Sequence, residues 1–127
     1  MLKIVMILGM GGIGTLARYW LAGLCQSMLA GGFPLGTLCV NVLGCLLIGL
    51  LCAFFASPQL VREEWRIALL VGLLGAFTTF STFGWETLTL LMDGQWKLAI
   101  LNVLLNNVLG LIAVWLAYRA GAKWFGV

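Results

Sequence analysis

Apolar residues run along this chain in four long blocks, at about residues 3 to 29, 35 to 56, 65 to 92 and 97 to 120, interrupted only by isolated polar positions. Each block reaches the ~20 residues that a helix needs to cross a hydrocarbon core of ~30 Å. Turn-forming clusters separate the blocks: Ala30 to Pro34, Ser57-Pro58-Gln59 and Asp93-Gly94-Gln95. These connections are short, and short connections join antiparallel neighbours. The pattern predicts an all-α membrane protein, one up-down-up-down four-helix unit over residues 1 to 127, with both termini on the same side.

The third block departs from this regularity. As a straight helix, residues 65 to 92 would measure ~42 Å, well beyond the core thickness, so the segment must tilt strongly or break. The expected break lies near its middle, at Gly75 to Thr79, where glycine tolerates unusual dihedrals and threonine is stiff at its first side-chain torsion. An unwound turn frees carbonyls that can ligate a cation. Because no carboxylate lies within the break, Na⁺ is favoured over a structural metal.

Composition supports the membrane reading. The chain is 63% hydrophobic and 9% charged, with a mean hydropathy of +1.13; a soluble domain of this size needs far more charge on its surface. No charge run, low-complexity tract or internal repeat suggests a further domain. Lys3 ahead of an apolar run resembles a targeting signal, but Arg18 interrupts the run and another span follows, so the segment reads as a retained helix. Gly9, Gly11 and Gly14 match a dinucleotide-binding GxGxxG, which has meaning only after a strand in a βαβ unit. Inside a span, small residues allow close helix packing. Cys25, Cys39, Cys45 and Cys52 fall in apolar spans without a CxxC pair, and the chain has no histidine. Both facts count against a metal centre and against an enzyme.

The polar residues inside the spans carry the functional signal. Residues 75 to 83 combine Thr78, Thr79, Ser81 and Thr82 with Phe77, Phe80 and Phe83, and such a cluster at mid-membrane depth suits a polar path. Phe80 and Phe83 share a face at i, i+3, and their positive ring edges can contact an anion without trapping it. Glu86 is the carboxylate of this span, and Thr82, one turn earlier, is its expected hydrogen-bond partner. Arg18 lies deep in the first span, where it snorkels or faces a path. Asn41 interrupts the second span, and Asn102, Asn106 and Asn107 the fourth, with Asn102 and Asn106 on one face. These amides serve either as interhelical glue or as donors to an anion.

Three strings together resemble the CrcB/Fluc family of fluoride channels: Gly11 to Tyr19 with Arg18; Pro34 to Gly44 with the GTxxVN motif ending at Asn41; and Gly72 to Glu86 with its TTFSTF core. The likeness covers the first three spans in order, and the fourth chiefly in length and in polar residues such as Asn106. It implies a passive, electrogenic, fluoride-selective channel that exports F⁻ across the microbial inner membrane and confers fluoride resistance. It implies an antiparallel homodimer with two pores. Phe80 and Phe83 would line the ion path with Asn41 as pore amide, Ser81, Thr82 and Glu86 as the polar group beside them, and Arg18 near the entrance. Backbone carbonyls of Gly75 and Thr78 from both subunits would hold a structural Na⁺. Fluoride, a second copy of the chain and the lipid bilayer are the implied partners, with no nucleic acid.

Charge distribution pulls the other way on orientation. Lys3, Arg62, Arg66, Arg119 and Lys123 fall on one side against Arg18 and Lys97 on the other, which favours cytoplasmic termini; a dual-topology protein shows almost no bias. The rival class is a small proton-coupled multidrug transporter, of similar size and also an antiparallel dimer. That chemistry needs a carboxylate in the first span, where this chain has Arg18 and no acid.

Overall fold

The computed structural model describes residues 1–28, 31–57 and 61–127, and every element in them is helical. The expected turn positions at Ala30, Pro58 and Gln59 lie outside the described residues. Helix α1 covers Leu2–Ser27 and α2 covers Leu35–Ala56. Helix α3 runs as α-helix over Glu63–Ile67, widens into a π-helix over Ala68–Leu74 and closes with one α-turn over Gly75–Phe77. After an interruption, α4 covers Phe80–Met92 and α5 covers Trp96–Phe125. Among the described residues, four helical stretches are long and apolar enough to cross a membrane, with α3 and α4 together forming the third.

Local chemistry sets the ends. Pro34 precedes α2 with φ −77°, preset for a helix entrance. The α4–α5 corner turns on Gly94 at φ 71°, while its backbone N–H bonds Leu91 O at 3.0 Å and that of Gln95 bonds Leu90 O at 2.8 Å. Gly126 ends α5 in the left-handed region at φ 74°, the usual device for stopping a helix. Gln26 ties α1 to the start of α2, accepting from Gly36 N and donating to Phe33 O, both at 3.0 Å.

Small residues bring the helices together. Helix α2 packs chiefly on α5 through Gly49, Ala53, Ala113, Ala117 and Gly121, all buried. A Cβ on Gly121 would come within 2.8 Å of Ala53 Cβ. Helix α1 packs chiefly on the π-helical stretch of α3, where a Cβ on Gly14 would collide with the Leu73 carbonyl. Dispersion between closely approaching backbones holds such bundles, because lipid tails offer no hydrophobic contrast. Many large apolar side chains accordingly face outward, Leu8, Trp20, Leu111 and Trp115 among them. An ion pair of 3.7 Å joins exposed Lys3 and Glu63 where α1 and α3 begin.

Candidate functional site

The site is built on the interruption between α3 and α4. Thr78 and Thr79 are extended, with φ/ψ of −88°/161° and −151°/115°, so the helical ladder fails there. Backbone groups buried in a membrane protein must find other partners. Asn41 of α2 supplies them: its Oδ1 accepts from Thr79 N at 2.9 Å and its Nδ2 donates to Thr79 O at 3.2 Å. One carboxamide thus binds both backbone groups of one residue. The Thr79 side chain caps α4, its hydroxyl oxygen accepting from Thr82 N at 3.2 Å.

This rearrangement leaves two carbonyls without their helical donors. Thr79 N, which would bond Gly75 O, turns to Asn41, and Thr82 N, which would bond Thr78 O, turns to Thr79 Oγ1. Gly75 is exposed and Thr78 half-buried. Neutral carbonyl oxygens of this kind are the donor type that a hard monovalent cation takes. Among the described residues no cluster of three carboxylates, cysteines or histidines competes for a metal.

A line of amides leads away from Asn41. Its Nδ2 donates to Asn106 Oδ1 at 3.0 Å, Asn106 Nδ2 donates to Asn102 Oδ1 at 2.9 Å, and Asn102 Nδ2 donates to Thr87 Oγ1 at 2.9 Å. Thr87 passes its own proton to Phe83 O at 2.8 Å. Asn102 is fully buried. Asn41 therefore has both amide hydrogens engaged, one on Thr79 O and one on Asn106. An anion beside it must draw one of them away.

Two grooves flank this structure. The first, about 330 Å³, is lined by Asn41, Gly75, Thr78, Phe80, Phe83 and Asn106 among others. Phe80 and Phe83 stand with ring centroids 5.3 Å apart, Phe80 80% exposed and Phe83 buried at 7%. The second groove, about 500 Å³, brings Arg18 of α1, Thr37 of α2 and Thr82 and Glu86 of α4 to one space. Thr79 borders both. Ser81 lines neither, but its hydroxyl lies 3.4 Å from that of Thr79.

Glu86 has a different partner from the one expected. Thr37 Oγ1 donates to Glu86 Oε1 at 2.7 Å, while Oε2 is buried without a hydrogen bond among the described residues. The Thr82 hydroxyl is taken instead by the cap, accepting from Thr79 Oγ1 at 2.9 Å.

Comparison with known proteins bears directly on this arrangement. The family described as CrcB-like protein, Camphor Resistance (CrcB), matches residues 5–118. The chain belongs to the CrcB family. Among its relatives, the fluoride-specific ion channel FluC of Geobacter metallireducens is 48% identical over 116 residues, 91% of this chain and 94% of its own. The fluoride-specific ion channel FluC of Nitratidesulfovibrio vulgaris is 46% identical over 121 residues, 95% and 98% of the two chains. That of Geobacter sulfurreducens is 44% identical over 97% of this chain and 99% of its own.

Within this CrcB chain, the sequence does not single out Thr37, Thr87 or the connecting role of Asn102. Thr37 belongs to the GTxxVN motif, and Asn102 reads from the sequence as glue or as an anion donor. For Thr87 the available signal was a hydroxyl one turn beyond Phe83, which bonds back to the Phe83 carbonyl.

Proposed function

We propose that this protein is a fluoride-selective ion channel, and not an enzyme, that gives passive, electrogenic export of F⁻ across the microbial inner membrane and so protects against fluoride toxicity. The observation that carries this reading is the uncharged polar seam at the broken helix, running from Thr79 through Asn41 to Asn106 beside the Phe80–Phe83 pair. It occurs in a family whose relatives are named fluoride-specific ion channels.

The physics of the ion fits such a seam. Fluoride is small and strongly hydrated, so a selective pore must replace its water with donors at close range without creating a deep well. Phe80 and Phe83 offer ring edges, Asn41 and Asn106 offer amide hydrogens in exchange for those they already share, and Ser81 and Thr82 offer hydroxyls. None of these carries a full charge. Arg18, half-buried in the second groove, raises the local anion concentration at an entrance, and Glu86 with Thr37 forms its polar wall.

The working unit of this proposal is an antiparallel homodimer. Gly75, Phe80 and Ser81 are exposed at the break, which suits burial against a second copy. Carbonyls of Gly75 and Thr78 from both subunits would hold a Na⁺, supplying fixed positive charge that braces the interface.

Fluoride efflux from liposomes holding the purified protein tests the reading, measured with a fluoride electrode after adding a potassium ionophore. Fast efflux that needs the ionophore, ignores chloride and collapses in Phe80→Ile is expected. Well-folded protein without fluoride flux would sink the proposal in favour of proton-coupled drug exchange.

A further inference from the structure

Four side chains stand between Phe83 and Thr79, and from Asn41 to Phe83 their hydrogen bonds run in one direction. The Thr87 hydroxyl has a single proton, donated to Phe83 O, so its oxygen can only accept from a neighbour. Asn102 must therefore turn its Nδ2 toward Thr87, which turns its Oδ1 toward Asn106. Asn106 must answer with its Nδ2, which it also points at Asn102 O at 3.1 Å, and this leaves its Oδ1 facing Asn41. At the far end Thr79 N can only donate, so it holds Asn41 Oδ1 and presents the Asn41 Nδ2 hydrogens to Thr79 O and Asn106. The polarity imposed from both ends agrees at every link.

We infer that Thr87 and Asn102 are positioning residues for conduction: they hold Asn106 with its oxygen toward Asn41, and so set the grip on the amide hydrogen that a passing anion must take. Neither lines the first groove. Without the Thr87 hydroxyl, Asn102 Nδ2 loses its acceptor, and the amide is oriented from the Asn106 side alone. An inverted Asn102 presents Nδ2 to Asn106 Nδ2, two donors face each other, and Asn106 inverts or swings away. The Asn41 hydrogen then loses its acceptor, and the seam passes from one arrangement to several. Buried amide networks specify a single structure only when every member is satisfied.

The flux arm of the test rests on the fluoride-channel reading, whereas the spectroscopic arm does not. Thr87→Val removes the hydroxyl at nearly constant volume, and Thr87→Ser keeps it. In protein labelled with ¹⁵N at asparagine, Thr87→Val should shift the side-chain amide signals of Asn102, Asn106 and Asn41. Asn107, which is exposed and among the described residues bonds Val103 O alone, serves as the unmoved control. Thr87→Ser should return the signals to their original positions. In liposomes Thr87→Val should lower fluoride efflux about fivefold, the order that one buried hydrogen bond contributes to a rate, and Thr87→Ser should restore it. Unmoved Asn41 and Asn106 signals in Thr87→Val would overturn the inference, even if efflux fell, because the effect would then be local packing. Shifted signals with unchanged efflux from a conducting parent would overturn it as well. If the parent carries no fluoride, the channel reading fails, and the amide signals alone decide whether Thr87 orients Asn41.

Discussion

Glu86 is anchored by one hydroxyl. Thr37 donates to Oε1 at 2.7 Å, and the buried Oε2 has no partner among the described residues. Thr37→Val would leave both carboxylate oxygens without a donor, at a cost of about 1–3 kcal/mol, the usual penalty for stranding a buried polar group. Thermal unfolding in detergent should show a clear loss for Thr37→Val and almost none for Thr37→Ser; equal midpoints would show that Glu86 finds another donor. This pair was not legible in the sequence, because 49 positions separate its members and only the crossing of α2 with α4 brings them together. The i, i+4 rule pointed to Thr82, which was sound for a continuous helix. It failed because α4 begins at Phe80, so Thr82 falls in the first turn and serves the cap at Thr79. The Phe80–Phe83 pair, by contrast, depends only on local helical spacing and was readable directly.

The third span shows how far helix-level reasoning reaches. Its excess length and its glycine-threonine run both pointed to a break, and the break falls at Thr78 and Thr79. What fills it is less visible in the sequence: Asn41 reads there as an anion donor or as glue, whereas its carboxamide pairs with the Thr79 backbone. Asn41→Leu would strand the Thr79 N–H and C=O together, at ~1–3 kcal/mol for each group left unpaired. A marked drop in thermal midpoint is expected, beyond that of an exposed asparagine such as Asn107→Leu. Comparable midpoints would mean that the interruption holds without α2. The π-helix over Ala68–Leu74 had no counterpart in the sequence reading. Nothing local demands a wider turn there, and the stretch packs against α1, where Gly14 meets the Leu73 carbonyl. Residue periodicity carries no record of such a contact between elements distant in the chain.

At the scale of the whole molecule, the four apolar blocks and their short connections were enough to anticipate four membrane-spanning stretches. The cation site proposed at Gly75 and Thr78 belongs to this scale, since it draws on two copies of the chain. Replacing Na⁺ with a large organic cation should lower the thermal midpoint of the assembled protein, because a ligand that binds only the folded state stabilises it in proportion to the logarithm of its concentration. A midpoint independent of Na⁺ over a wide range would remove the ion from the proposal. Helix α5 has one more consequence. It carries exposed Trp96 and Trp124 at its two ends, with exposed Arg119 and Lys123 beside the second. Between the two tryptophans the helix measures about 42 Å, longer than the hydrocarbon alone and close to the whole leaflet-to-leaflet thickness with headgroups. Indole rings prefer the boundary between lipid tails and water. This span thus carries an indole anchor at each end, and sliding along the membrane normal would move one ring toward hydrocarbon and the other toward water.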